Sequence, residues 1–436
     1  MHEFRLRFTI HSGRLQYKRA INAAKIEKMF QKPFLWSLEG HMDGLTCTGT
    51  SPTSVVALAS GAADGELKVW DLAHKRCLWS ARAHSGAIHA VGFLPEGDSL
   101  LTCGDDGCVK QWSAVASAAP AASSSAAASA SGGRGEIDPT AVWSTTSAVF
   151  DLSVHPTQPL FATCTSAGVG VWNMTRSSPT VTLGWGGEHA ARKAAFNLAD
   201  PHLIASAGED RRLTLYDIRQ SAPIRQVEQE NATNAVAWNP REPMNFLSGN
   251  EDHCAYSWDM RKLDVALVVH KDHVSAVMDV SWSPTGREFA TASYDKTIRL
   301  WNSTGGSSKQ VYHTKRMQRV WTVDFTRDAK YVVSGSDDTN LRVWKADASA
   351  IEGVQAPRVR AKVNYNKSLL KRYAHMPEVK RIVKQQYVPK YVSKASKRSR
   401  NESQKEMAAL ANINRHSKTA RKPTAEKKRS IVSQHE

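Results

Sequence analysis

Hydrophobic and polar positions alternate along GFLPEGDSLLTCGDDGCVKQW (92–112), SWSPTGREFATASYDKTIRLW (281–301) and DFTRDAKYVVSGSDDTNLRVW (324–344). A period of two predicts half-buried β-strands. Each stretch reads as a strand, a Pro-containing or charged turn, a second strand ending in small residues, an Asp turn, and a third strand closing on Trp. Aligned on that aromatic, the unit recurs at Trp70, Trp112, Trp172, Tyr216, Trp258, Trp301 and Trp344, at intervals of 42, 60, 44, 42, 43 and 43 residues. A fixed period of this length marks an array in which each unit buries its apolar face against its neighbours. The long interval holds AVASAAPAASSSAAASAS (114–131). This segment, within an insertion assigned to 114–135, has little charge and no apolar period, so it reads as a loop without activity.

The ends of the array complement each other. KPFLWSL (32–38) reads as a strand with no partner before it, and the last unit stops after Trp344 one strand short. If the first strand fills that gap, no sheet edge is left open. The expected fold is all-β: a seven-bladed propeller over 34–347, between an N-terminal arm (1–33) and a basic helical C-terminal extension (348–436).

Within the units an Asp lies six residues before the aromatic at Asp64, Asp106, Asp210, Asp252, Asp295 and Asp338; the third unit has Ser166 there. A His precedes the aromatic by 27–29 residues at His41, His84, His189 and His273. A general base is not needed several times at a structural period, so these residues read as structural. The chain has no phosphate-binding glycine loop, HExxH, GxSxG or Cys/His zinc spacing. No catalytic residue, cofactor, metal or small-molecule substrate is expected. The pattern resembles the WD-repeat family over residues ~34–345. That resemblance implies four-stranded blades in which the His, the turn Asp and the strand aromatic form a hydrogen-bonded lock. The expected structural residues are then His41, Asp64 and Trp70; His84, Asp106 and Trp112; and His273, Asp295 and Trp301.

Charge separates the arms from the ring. Residues 1–33 carry 8 Lys+Arg against 2 acids, 34–350 carry 28 against 33, and 351–436 carry 22 against 6. No apolar run approaches the ~20 residues of a membrane span. The N-terminus lacks an apolar signal core, although its basic, acid-poor composition leaves a mitochondrial address open. The six cysteines, at 47, 77, 103, 108, 164 and 254, read as reduced and mostly buried thiols. RAINAAKIEKMF (19–30) suits a short amphipathic helix with Ile21, Ala24 and Met29 among its buried candidates, and Pro33 stops it. RAKVNYNKSLLKRYAHM (360–376) has helical composition and ends at Pro377. Pro389 breaks the next segment, and NESQKEMAALANINRHSK (401–418) is helix-forming with Met407, Leu410 and Asn414 on one stripe. Isolated helices of this length are marginal, so the arms are expected to order on docking.

A cationic tail broken by prolines suits a polyanion. Counterion release drives such contact, and tyrosines can stack on unpaired bases. The expected contacts with nucleic acid or a ribonucleoprotein are Lys371, Arg372, Lys380, Arg381, Lys384, Tyr387, Lys390 and Tyr391. To these the loop YHTKRMQRV (312–320) adds Lys315, Arg316 and Arg319, where the seventh unit should carry its His turn. KKR (427–429) also suits a nuclear import signal. INAAKIEKMFQKPFLWSLEGHMDG (21–44), HVSAVMDVSWSPTG (273–286), VYHTKRMQ (311–318), HMPEVKRI (375–382) and NRHSK (414–418) together resemble the Sof-type WD-repeat family. This implies a nucleolar component of the small-subunit processome. Its partners would be pre-ribosomal RNA, the U-three small nucleolar RNA particle and processome proteins docked on the propeller, with no membrane involved. An alternative attaches to two DxR boxes, YDIR (216–219) and WDMR (258–261), which resemble those that dock substrate receptors on the cullin-four ligase adaptor. In that reading Asp217, Arg219, Asp259 and Arg261 are the adaptor contacts.

Overall fold

The computed structural model describes residues 2–113, 138–183, 190–220, 222–351, 353–416 and 431–435, with side chains from Arg14 to His416 within them. The Ala/Ser insertion, His189 and the KKR cluster lie outside the described residues. The chain forms two compact units, residues 36–343 with 389–436 and residues 1–35 with 344–388.

The sequence alternation becomes a seven-bladed β-propeller of antiparallel sheets. Blades 1 to 6 span residues 45–82, 88–144, 149–183, 191–229, 233–270 and 277–312. Blade 7 comprises three strands over 320–345, with Phe34–Leu38 added beside Leu341–Lys345 as its fourth. The N-terminal strand therefore fills the gap left at Trp344. In blade 4 a fifth strand, Ile431–His435, pairs antiparallel with Pro223–Gln229. The innermost strands follow one another round the axis, and Val320–Phe325 returns to Leu45–Thr50. Thr48 and Thr322 hydroxyls meet there at 2.8 Å.

Small residues in the second strands let the sheets approach closely. A Cβ on Gly61 would stand 2.8 Å from Ile88 Cγ2 of the next blade. Large aromatics fill the remaining space, with Trp112, Trp258, Trp301, Phe161, Phe246 and Phe289 all buried. Such side chains carry most of the apolar burial that stabilises the fold. Burial pushes the Cys47 thiol up to about 12 and raises Cys103 and Cys164 as well, whereas Cys77 is exposed.

Blades 2 and 6 contain the complete lock. His84 Nδ1 meets Asp106 Oδ1 at 2.8 Å, its Nε2 meets Thr102 Oγ1 at 2.8 Å, and Trp112 Nε1 donates to that hydroxyl at 3.0 Å. In blade 6 the corresponding distances among His273, Asp295, Thr291 and Trp301 are 2.9, 2.6 and 2.9 Å. Blade 1 departs from the expectation. His41 Nε2 reaches Ser60 at 2.7 Å and Trp70 Nε1 donates to the same oxygen at 2.7 Å, but His41 Nδ1 has no hydrogen-bond partner. Asp64 instead accepts the Glu66 backbone N–H at 3.0 Å and caps its own turn. For blade 5 the place of the His falls to Gln229, the last residue of blade 4's outer strand, which accepts from Thr233 and Asn250 at 2.6 and 2.7 Å. In blade 7, Arg342 takes over, bonding Asp338 and, at 2.7 Å, Ser336.

The second unit contains three helices, α1 (His2–Met29), α2 (Pro357–Arg372) and α3 (Pro377–Lys384). Ala20, Leu369 and Val379 form its buried centre, with Tyr17, Ile21, Leu370, Tyr373 and Met376 packed around them. Each helix alone would be marginal, and together they bury one apolar cluster. The arms thus pack on each other, where the sequence reading had them wait for a partner. Ala24 is buried, but Met29 is 72% exposed. Pro377 opens α3 as well as ending the segment before it: the first helical position needs no N–H, so proline is tolerated there.

Candidate nucleic-acid and partner interfaces

The three-helix unit displays its cations outward. Lys371 and Arg372 fall in the last turn of α2 and Arg381 and Lys384 in that of α3, where the helix dipole favours positive charge. These four and Lys380 are exposed, and none is in an ion pair among the described residues. Polar contacts fix the frame beneath them. Arg372 Nη1 and the Tyr373 hydroxyl donate to Gln16 Oε1 at 3.4 and 3.2 Å, and the Tyr17 hydroxyl donates to Glu378 at 3.2 Å. Tyr387 is 85% exposed.

Helix α4 (Lys390–His416) belongs to the propeller unit. Val392 is buried, and Tyr391 is half-buried beside Arg299 and Asp295 of blade 6. Burial, then the Asp295 charge, raises the Tyr391 phenol pKa, and burial lowers that of Arg299. Val392 is thus the buried point of this end of α4, and Tyr391, expected to stack on bases, keeps 46% of its surface exposed. Lys390 beside it is exposed. Met407 and Ile413 stay half-exposed further along the helix.

The 312–320 loop is pinned by Met317, 2% exposed, which leaves Lys315, Arg316 and Arg319 at the surface. Arg319 lies over the Tyr294 ring at 5.4 Å, and Tyr294 meets Trp321 edge-on at 5.2 Å. Lys296 donates to Gln318 at 2.6 Å. The loop thus sits beside the Asp turn of blade 6, with cations and aromatics interleaved.

The two DxR boxes occupy neighbouring loops joined by Arg225, which donates to the Arg261 carbonyl at 2.7 Å. Asp217 caps its turn by accepting the Arg219 backbone N–H at 3.0 Å, and Arg219 is exposed. Arg261 folds back on Asp259 through Nε at 3.0 Å and Nη2 at 2.8 Å. That fork holds the Asp259 carboxyl below its usual range. A partner engaging Arg261 must compete with this internal pair.

Sequence reasoning missed a charged cluster on the innermost strands. Lys193 Nζ lies 3.1 Å from the buried Asp151 Oδ1, and Asp279 and Asp324 stand half-buried nearby. The aspartates hold the Lys193 pKa up against burial, while burial pushes Asp324 up to about 6. The signal was present in FDLSV, RKAAF, MDVSW and TVDF, charges at inward positions of apolar strands. A buried charge is costly unless paired, so the cluster must stay intact. The described residues include no group of His, Cys, Asp and Glu suited to a metal, and none of their helices is long and apolar enough to cross a membrane.

The propeller with its basic helical extension defines a WD-repeat protein. Comparison with known proteins agrees with that class. The Sof1-like domain matches residues 346–431, and the WD domain, G-beta repeat, matches 32–71, 75–113, 265–302 and 306–345. The zebrafish (Danio rerio) DDB1- and CUL4-associated factor 13 is 39% identical over 419 residues, 96% of this chain and 90% of that protein. Its human (Homo sapiens) counterpart is 37% identical over 96% of this chain and 91% of its own length. Protein SOF1 of Saccharomyces cerevisiae is 38% identical over 87% of this chain and 79% of the yeast protein. The chain belongs to the Sof1-type WD-repeat family.

Proposed function

We propose that the chain is a non-catalytic scaffold of the small-subunit processome, acting in the nucleolus in maturation of the 18S ribosomal RNA precursor. The observation that carries this reading is the row of exposed, unpaired cations Lys371, Lys380, Arg381 and Lys384 on a packed helical frame. A solvated surface of a stable fold has no need of that excess, and neutralising phosphates would convert it into binding free energy. Membership of the Sof1-type family supports the same assignment. The propeller presents loops to neighbouring proteins, and the extension holds RNA. The test is sedimentation of the tagged full chain, wild type against Lys380→Glu/Arg381→Glu/Lys384→Glu. The wild type should travel with particles containing 18S precursor, and the variant should shift to light fractions by about tenfold. Identical profiles would reject the reading.

A second reading, substrate receptor of a cullin-four ligase, draws on the names of the vertebrate relatives and on the two adjoining DxR loops. Arg219→Glu with Arg261→Glu should abolish pull-down by the ligase adaptor; unchanged recovery would remove it.

A further inference from the structure

Helix α4 has a sidedness that the tail's overall charge conceals. At 100° per residue, Lys390, Lys394, Lys397, Arg398, Lys405 and Arg415 fall within an arc of about 100°, over an axial length of about 38 Å. All six are exposed. Glu402 and Glu406 lie outside this arc, as does Val392, which is buried on the opposite side. The burial of Val392 on the far side therefore leaves the cationic stripe towards solvent. Within the arc the one ring is the His416 imidazole at the C-terminal end, and the Tyr391 phenol, 46% exposed, lies just outside it.

We propose that this stripe of α4 is a docking surface for double-stranded RNA, contacted through its phosphates. The inference rests on the RNA reading above and goes beyond it by naming the form of RNA and the helix that meets it. A row of cations whose arc holds no Phe, Tyr or Trp matches a regular backbone. Proteins that hold single strands instead pair a basic groove with aromatic platforms. Duplex RNA is recognised mainly by shape, phosphate and 2′-hydroxyl contact. Charge complementarity selects RNA for this face, while the Met407–Ile413 side is apolar and lies off the stripe.

The experiment measures anisotropy of the full-length chain with a 20-base-pair RNA hairpin and with an unstructured oligo(U) of equal nucleotide count, across a salt series. Lys394→Glu/Lys397→Glu/Arg398→Glu is compared with Met407→Ser/Ile413→Ser, and circular dichroism checks that both remain folded. The wild type should prefer the hairpin by about tenfold or more. The charge variant should lose that preference and lower the salt slope by about 2, and the apolar variant should retain both. Equal affinity for both RNAs, or a charge variant that binds the hairpin normally, overturns the duplex assignment and leaves RNA contact to the three-helix unit. If the wild type binds neither RNA, the reading of the tail as an RNA-binding element fails with it. Loss of hairpin binding in the apolar variant alone would reassign α4 to a protein-like contact and also overturn the proposal.

Discussion

Blades 3 and 6 are built on the same aromatic frame and differ in what secures it. In blade 6 Phe289 stacks on Trp301 at 6.1 Å and 9°; in blade 3 Phe161 stacks on Trp172 at 6.1 Å and 1°. Each Trp donates to a Thr hydroxyl at 2.9 Å. A third ring from the outer strand of the preceding blade closes each stack edge-on, His270 of blade 5 at 4.8 Å from Phe289 and Trp143 of blade 2 at 5.1 Å from Phe161. Only blade 6 then adds the His273–Asp295 pair. The shared part is apolar and is written in the repeat pattern. The lock is a buried polar addition that the fold can omit, which blades 1, 5 and 7 also show by substituting for it in three different ways.

The largest contrast should come from removing the turn acid. Asp295→Ala would strip a buried carboxylate that accepts from His273 and from the Thr297 backbone at 3.0 Å. Donors left without partners cost about 1–3 kcal/mol each, so a loss of about 4 kcal/mol is expected. Ser166→Ala at the matching count in blade 3 alters an exposed side chain and should change stability by less than about 0.5 kcal/mol. Urea unfolding of both variants decides this; comparable losses would mean that the lock has no special weight.

A second difference is titratable. Burial lowers the His270 pKa to about 4, whereas Trp143 in the corresponding place does not titrate. The unfolded chain protonates this His near 6.5 and the folded chain only near 4. Between those values the unfolded state binds more protons, so stability falls as the pH falls. The loss should reach about 3 kcal/mol at pH 4. Asp295, held down to about 2, adds its own loss only at still lower pH. His270→Phe should flatten the decline between pH 6.5 and 4, at a constant cost from the lost 3.0 Å contact with Ser257. An unchanged slope in thermal melts would place the acid sensitivity elsewhere.

These contrasts mark what the sequence could and could not convey. Strand period, blade number and closure by Phe34–Leu38 follow from alternation and spacing, because a sheet face must be apolar wherever it is buried. Lock chemistry does not follow from position alone. Asp64 stands at the right count yet caps its own turn, and Gln229 and Arg342 occupy roles that no His–Asp search would find. The three-helix centre joins Ala20 to Leu369, residues far apart in the chain that no local pattern connects. Met29 was misplaced because a stripe drawn on 19–30 ignored which face α2 and α3 cover. The candidate cations were legible as types, while their grouping on α2, α3 and one side of α4 required the helices to be placed.

The smallest expected effect is the most discriminating. A transplant of the lock into blade 3, Thr145→His with Ser166→Asp, supplies both missing groups at the positions that spacing recommends. It should nevertheless fail to stabilise the chain, and losing the 2.7 Å bond from the Thr145 hydroxyl to the Gly107 or Ser147 carbonyl should cost about 1 kcal/mol. In blade 6 the pair Ala292–Ile298 leaves residues 293–297 to form the turn that carries Asp295. In blade 3 pairing continues to Thr165–Gly168 and leaves only Ser166 and Ala167, with Gly168 at φ 125° closing the hairpin. An Asp on so short a turn is not carried back over the strand ends towards the His. Replacing Thr165–Gly168 by a turn one residue longer, in the same double variant, should recover about 1 kcal/mol, the net contribution of one buried hydrogen bond. If the simple transplant already stabilised the chain by that amount, turn length would not be what keeps blade 3 unlocked, and the absence of the His and Asp side chains would be sufficient cause.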